Sequence, residues 1–225
     1  MKKSFCISLI FLVFLVLFSA CNNSDNINGS GNTIKGSGKL ITQERNLSEC
    51  NGINLRYAGN IYLKQDSIQS VKVEADDNII DNVITQNQGS ILIAGLQNGS
   101  YSDVTVRIYI SLISIENLTI DGAGNIEIQN DINCDNLSCI INGAGDINLS
   151  GKGDLLSCII KGAGNINAFN FEVRTCQAKI KGTGNCSVYA ARTLNAEITG
   201  VGNIVYNGNP VVVSSVTGIG NITGR

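Results

Sequence analysis

Four groups of side chains in this 225-residue sequence could do chemistry. The stretch Gly162-Ala163-Gly164-Asn165 has the spaced glycines of a phosphate-binding turn. Cys50, Cys134, Cys139, Cys158, Cys176 and Cys186 could form disulfides, hold a metal or supply a nucleophile. Glu74, Asp76, Asp77 and Asp81 form the densest acidic group, the kind a polysaccharide-cleaving enzyme needs for calcium. Lys161, Lys179 and Lys181 could face an anionic glycan or a phosphate. Histidine is absent, which removes the neutral-pH proton shuttle and the commonest metal ligand. Ser-His-Asp triads, Cys-His pairs and most zinc sites go with it.

The glycine turn fails as a nucleotide site on inspection of its surroundings. A phosphate cradle needs a helix after the glycines, so that amides and dipole face the anion. Here an alternating, strand-like run follows, and Asn167 stands where a third glycine is needed. The pattern also recurs. Gly-x-Gly followed by Asn or Asp occurs at Gly122-x-Gly124-Asn125, Gly143-x-Gly145-Asp146, Gly162-x-Gly164-Asn165, Gly182-x-Gly184-Asn185, Gly200-x-Gly202-Asn203 and Gly218-x-Gly220-Asn221, at spacings of 18 to 21 residues. A relative without the first glycine is "YAGNIYL" at Tyr57–Leu63. Such regularity is architectural.

Around each corner the apolar residues alternate with period two, the mark of half-buried strands. Ile120, Ile141, Ile160, Ile180, Ile198 and Val216 occupy one column. Leu118, Cys139, Cys158, Ala178, Ala196 and Ser214 occupy another, and Ile126, Ile147, Ile166, Cys186, Ile204 and Ile222 a third. The spacing predicts an all-β fold, a parallel β-solenoid with about 18–21 residues per coil and strands stacked about 4.8 Å apart. In it, glycine supplies positive φ and close approach, and the corner Asn and Asp residues adopt left-handed geometry and tie the turns as a side-chain ladder. Residues 39–118 show the same material less regularly, with turns at Asp76-Asp77-Asn78, Gly89 and Asn98-Gly99 and no convincing helix.

The start of the chain is organised differently. "MKKSFCISLIFLVFLVLFSAC" has two lysines, an apolar run and Ser19-Ala20 before Cys21. The run is shorter than a spanning helix, and the pattern is that of a secretory signal peptide over residues 1–20. "FSAC" resembles the lipobox of bacterial lipoproteins, which implies lipidation of Cys21 and a membrane partner through that anchor; an ordinary signal peptide or an uncleaved anchor is the alternative. Residues 21–38 are polar and rich in Gly and Ser, a flexible tether before a single domain at 39–225. Removal of residues 1–20 takes Lys2 and Lys3 and leaves 14 basic against 18 acidic side chains, a net charge of −4. That balance gives no electrostatic affinity for nucleic acid.

The ordered series "GIN" at Gly52–Asn54, "AGNIYL", "VKVEADDNIIDNV", "SILI", "VTVRIYI", the Gly-x-Gly-Asn corners and "ITGVGNIVYNGNPVVVSSVTGIGNI" resembles the bacterial head GIN domain family over residues 45–225. The resemblance implies a right-handed parallel β-helix, an envelope lipoprotein of the Bacteroidetes type and an adhesin label. It implies no catalytic residue, metal or cofactor. Cysteines in inward columns and Tyr57 at a corner depart from the pattern.

Cys139, Cys158 and Cys186 fall in inward columns, where free cysteine serves as a small hydrophobe; Cys139 and Cys158 are expected to be stacked neighbours. The acidic group reads as a strand end running into a solvated turn. Lys161 and Lys181 share an outward column with Lys179 nearby, partly neutralised by Glu197. Ile140 and Ile159 form an outward apolar pair, and Asp66-Ser67-Ile68 resembles a short O-glycosylation signal. The sequence thus predicts a non-catalytic, lipid-anchored outer-membrane protein presenting a rigid face to a glycan or a surface protein. A polysaccharide-active enzyme, and a structural component that self-assembles through its ends or its outward apolar patch, are the alternatives.

Overall fold

The computed structural model describes residues 33–225. The expected signal peptide, Cys21 and most of the expected tether lie outside the described residues. The first half holds β1 (Ile34–Lys35), β2 (Leu40–Glu44), β3 (Gly52–Leu55), β4 (Ala58–Gln65) and β5 (Ser70–Asp76). A 3-10 turn at Ile80–Asn82 leads to β6 (Val83–Gln88), β7 (Ile91–Leu96), β8 (Tyr101–Ser102) and β9 (Val106–Leu112). The second half holds β10 (Asn117–Ile120), β11 (Ala123–Ile128), β12 (Ile132–Ile141), β13 (Ile147–Ile160) and β14 (Ile166–Ile180). It ends with β15 (Cys186–Ile198), β16 (Ile204–Asn207), β17 (Val211–Val216) and β18 (Ile222–Gly224).

The fold is all-β, but it is not the expected right-handed parallel β-helix running from 39 to 225. Sixteen strands form one mixed sheet, in which β2 with β5, β5 with β9, and β6 with β7 are antiparallel. Pairings among β3, β10, β12, β13, β11, β4 and β7 close a circuit of seven strands, a barrel to which the remaining strands add. The physical reason lies in the connections. Residues 39–118 lack the repeated Gly-x-Gly corner and carry hairpin signals instead. Gly89-Ser90 turns β6 into β7 with Gln88 facing Ile91, and Gly89 has φ 62°. Gly-Ser at a two-residue loop suits a type II′ turn, which folds the chain back antiparallel.

The second half keeps parallel ladders in register. Ile120 faces Ile141, which faces Ile160, then Ile180 and Ile198, and all five are buried. Leu118, Cys139, Cys158, Ala178 and Ala196 form the neighbouring column, and Ile126, Ile147, Ile166, Cys186 and Ile204 line the other wall. Each buried isoleucine contributes about 1.5–3 kcal/mol relative to exposure. Where the register shifts between Ala168 and Glu172, the bulge admits Phe171, which is fully buried. The ladders continue across the seven-strand circuit into the first half, because β11 also pairs with β4, in register from Ala123–Ala58 to Ile128–Leu63.

The fold includes residues before Lys39. β1 pairs with β8, and the amide of Gly38 donates to Asp76 Oδ1 at 2.7 Å. The last residues of the segment read as a tether therefore belong to the fold.

Candidate functional site

The Gly-x-Gly corners stack one on another. Ala123, Ala144, Ala163, Thr183, Val201 and Ile219 form a column of parallel bridges. At Gly164, φ is +154°, and a Cβ would overlap the carbonyl oxygen of Gly145 one tier below, so only glycine fits. The positive φ falls on this second glycine. The following Asn and Asp residues do not take the expected left-handed geometry: among the described residues Asp103 alone of the non-glycines has positive φ.

Those amides form the ladder expected of them. Asp146 N donates to Asn125 Oδ1 at 3.0 Å and Asn165 N to Asp146 Oδ1 at 2.8 Å. Asn185 N donates to Asn165 Oδ1 at 3.0 Å, Asn203 N to Asn185 Oδ1 at 3.1 Å, and Asn221 N to Asn203 Oδ1 at 3.0 Å. Asn60 supplies an earlier rung, its Oδ1 accepting Asn125 N at 3.3 Å. The corner amides are spoken for as well: Ala163 N donates to Gly143 O at 2.9 Å and Gly164 N to Thr183 O at 3.0 Å. With its donors engaged, the corner holds the sheet together and offers an anion nothing.

The lysines divide. Lys161 and Lys181 sit at equivalent positions in successive tiers, both exposed, their amides donating to Ile141 O and Ile160 O. Lys179 faces Glu197 across the ladder and pairs with it at 3.0 Å. Ile140 and Ile159 are in register but only half exposed.

The six described cysteines are free thiols, and Cys139 lies in register with Cys158. Burial pushes the Cys139 thiol well up, and hydrogen bonding with Cys176 and Cys186, then burial, does the same to Cys158. Cys134, half-buried, is pushed up to about 11 by burial and by Asp135 and Glu116. Groups held this high carry almost no thiolate at neutral pH and make poor nucleophiles.

The acidic group does not converge. Asp76, expected in a solvated turn, is 1% exposed. Its Oδ1 accepts Gly38 N and its Oδ2 accepts Thr105 N, each at 2.7 Å, which clamps two loops to the end of β5. Asp77 accepts from Ser37 Oγ at 2.6 Å and pairs with Lys39 at 3.1 Å, while Glu74 pairs with Arg107. Among the described residues no three His, Cys, Asp or Glu side chains gather into a metal-sized group.

One cluster was not singled out from sequence. Tyr62 on β4 and Tyr109 on β9 are directly opposed in the parallel ladder, their rings stacked with centroids 5.2 Å apart and planes at 22°. Lys72 on β5 faces Tyr109 from the other side, its Nζ 5.2 Å from the ring centroid. Register extends this outward row in both directions, to Glu44 beyond Lys72 and to Glu127 beyond Tyr62. Lys64 and Gln129 complete a shallow depression of about 430 Å³ around the rings. The facing sides of the two rings cover one another, and the ammonium group lies over the far face of Tyr109. The row therefore presents phenolic hydroxyls and ring edges, flanked by donors and acceptors of both charges. A signal for it does exist in the sequence. Both tyrosines sit in the same strand context, "IYL" and "IYI", as the outward residue between two inward ones, 47 residues apart. A larger groove of about 600 Å³, lined by residues such as Glu116, Asn133, Cys134 and Asp135, is acidic and lacks an aromatic or cationic side chain.

Residues 49–210 match the family described as "Putative auto-transporter adhesin, head GIN domain". A crystal structure of a putative adhesin from Bacteroides fragilis is similar at 25% identity and TM-score 0.71, over 85% of this chain and 100% of that one. A crystal structure described as a putative lipid binding protein from Parabacteroides distasonis shares the fold at 23% identity and TM-score 0.53, over 86% and 99% of the two chains. No curated protein matches.

Proposed function

We propose an adhesive, non-catalytic role for this protein, which belongs to the head GIN domain family of putative auto-transporter adhesins. Family membership supports adhesion or binding. The finer reading is that the protein binds carbohydrate, through the depression around Tyr62 and Tyr109. The observation that carries it is the outward row Glu44, Lys72, Tyr109, Tyr62, Glu127, which sets two phenol hydroxyls between an acid-base pair on one side and an acid on the other, on a rigid sheet. A sugar needs many hydrogen-bonding partners at fixed spacing with some apolar surface between them. Tyrosine provides both at low entropic cost, because its ring has few rotamers to lose.

The non-catalytic part of the reading rests on where the reactive groups are. Glu74, Asp76 and Asp77 of the acidic group are committed to clamps and ion pairs, burial pushes the Cys134 and Cys139 thiols up, and the chain has no histidine. Lipidation at Cys21, with the folded unit held at the outer membrane by the intervening segment, is proposed from "FSAC" and from the envelope setting of the family. A glycan microarray tests the binding site. The wild-type chain is expected to retain a defined set of glycans, and the Tyr62→Ala, Tyr109→Ala double variant to lose them at least tenfold. Retention of the same glycans at the same strength by that variant would overturn the assignment.

A further inference from the structure

We propose that β17 is the docking site for a second copy of this chain, the two copies meeting edge to edge about a two-fold axis. β17 pairs with β15 on one side only, and among the described residues nothing pairs with its other edge. Its inward residues continue the core columns: Val212 follows Leu194, Ser214 follows Ala196 and Val216 follows Ile198. Leu194 and Ile198 are buried, but Val216 is 45% exposed, so the end of the core is open here. Val211 and Val213, pointing outward, are 71% and 62% exposed.

The corner beside β17 is open in the same direction. In every earlier tier the second corner glycine and the residue two beyond it, isoleucine or Cys186, donate to the next tier, as Gly202 N does to Ile219 O and Ile204 N to Asn221 O, each at 2.9 Å. The equivalent donors of the last tier, on Gly220 and Ile222, have no next tier among the described residues, and neither does Asn221 Oδ1.

Charge identifies the occupant. From Thr199 to Gly224 there is no Asp, Glu, Lys or Arg. The opposite edge of the sheet, β2, is guarded in the usual way, with Glu44 in the strand and Lys39 and Arg45 flanking it. A valine-rich edge without charge tolerates its own copy, since nothing repels. Pairing β17 with β2 of another molecule would set valines against charges and build an open chain of subunits. A two-fold contact closes at two. With Ser214 on the axis of an antiparallel pair, Val212 of one copy faces Val216 of the other. Inward residues then meet inward residues, and both cores are covered.

The test is disulfide trapping in cells expressing the full chain. Ser214→Cys should yield a disulfide-linked dimer in at least tenfold excess over Ser67→Cys, an exposed control on a distant loop. Peptide mapping should place the bond between the two copies' positions 214. Val213→Lys, added to Ser214→Cys, should cut the trapped dimer at least tenfold by setting a charge beside the axis on each copy. Trapping no greater than the control, a bond to a different protein, or a dimer unaffected by Val213→Lys would each overturn the proposal.

Discussion

The strands from Asn117 to Gly224 and those from Leu40 to Leu112 share one sheet and one core, yet they are held by opposite means. The later strands repeat. Each tier lays the same glycines over the last, and the column from Ile120 to Ile198 and the run of Asn rungs from Asn165 to Asn221 stack like on like. The earlier strands do not repeat. They mix parallel and antiparallel pairings and rely on particular pairs: Asp76 clamping Gly38 and Thr105, Glu74 with Arg107, Gln69 accepting the Cys50 amide at 2.9 Å. Repetition gives rigidity without distinctive chemistry. Irregularity is where unlike side chains are brought together, and the stacked tyrosines lie there.

This contrast can be broken at several points. The largest effect is expected from Gly164→Ala. Its Cβ has no room beside Gly145 and its φ is unfavourable for alanine, so the tiers must part; a loss of more than about 4 kcal/mol is expected in urea denaturation. A loss under about 1 kcal/mol would mean that the tiers slide apart easily and are less tightly stacked than described. Asp76→Ala should cost about 3 kcal/mol, because two part-buried hydrogen bonds to a charged, buried acceptor are lost. Asp76→Asn should recover part of that. Asn165→Leu removes one rung, which accepts from Asn185 and donates to Asp146 at 2.8 Å, and should cost about 1–2 kcal/mol.

The smallest effect is on acid stability. Asp77 is held below the usual carboxylate range by its hydrogen bond from Ser37, and Asp66 by its hydrogen bond from Lys64. A carboxylate whose folded pKa is depressed stabilises the fold fully above its unfolded pKa and loses that contribution as pH falls through the folded value. Both groups lie in the non-repeating region, while the Asn rungs of the later tiers do not titrate. Hydrogen-exchange protection should therefore fall first around residues 66–77 as pH drops below about 4, with residues 185–203 following later. Simultaneous loss of protection in both regions would remove the distinction.

The same contrast explains what could be read from sequence. A repeat announces itself. Six Gly-x-Gly corners and three apolar columns are visible because each tier is an independent copy of the same constraint, and the register of Ile120, Ile141, Ile160, Ile180 and Ile198 follows from spacing alone. Residues 39–118 break from an all-parallel pattern: β3 with β7 and β4 with β9 are parallel, but β2 with β5, β5 with β9 and β6 with β7 are antiparallel. There Gly89-Ser90 and the loops around Asp76 set strand direction, and a turn's direction is a local property that the tiers cannot transmit. At the corners Asn and glycine both suit a left-handed backbone, and it is the preceding glycine that takes it. The candidate site was the least legible part. Lys161 and Lys181 stand out in sequence because they recur at the repeat spacing, whereas Tyr62 and Tyr109 are joined only by the pairing of β4 with β9.

The central claim is that binding resides in the irregular region and the repeated region supports it. The most direct measurement compares glycan binding by two double variants, each checked for an unchanged melting temperature. Tyr62→Ala with Tyr109→Ala should lose binding at least tenfold, and Lys161→Ala with Lys181→Ala should leave it within about twofold of wild type. The reverse result, with binding lost on removing the lysines and kept on removing the tyrosines, would contradict the account.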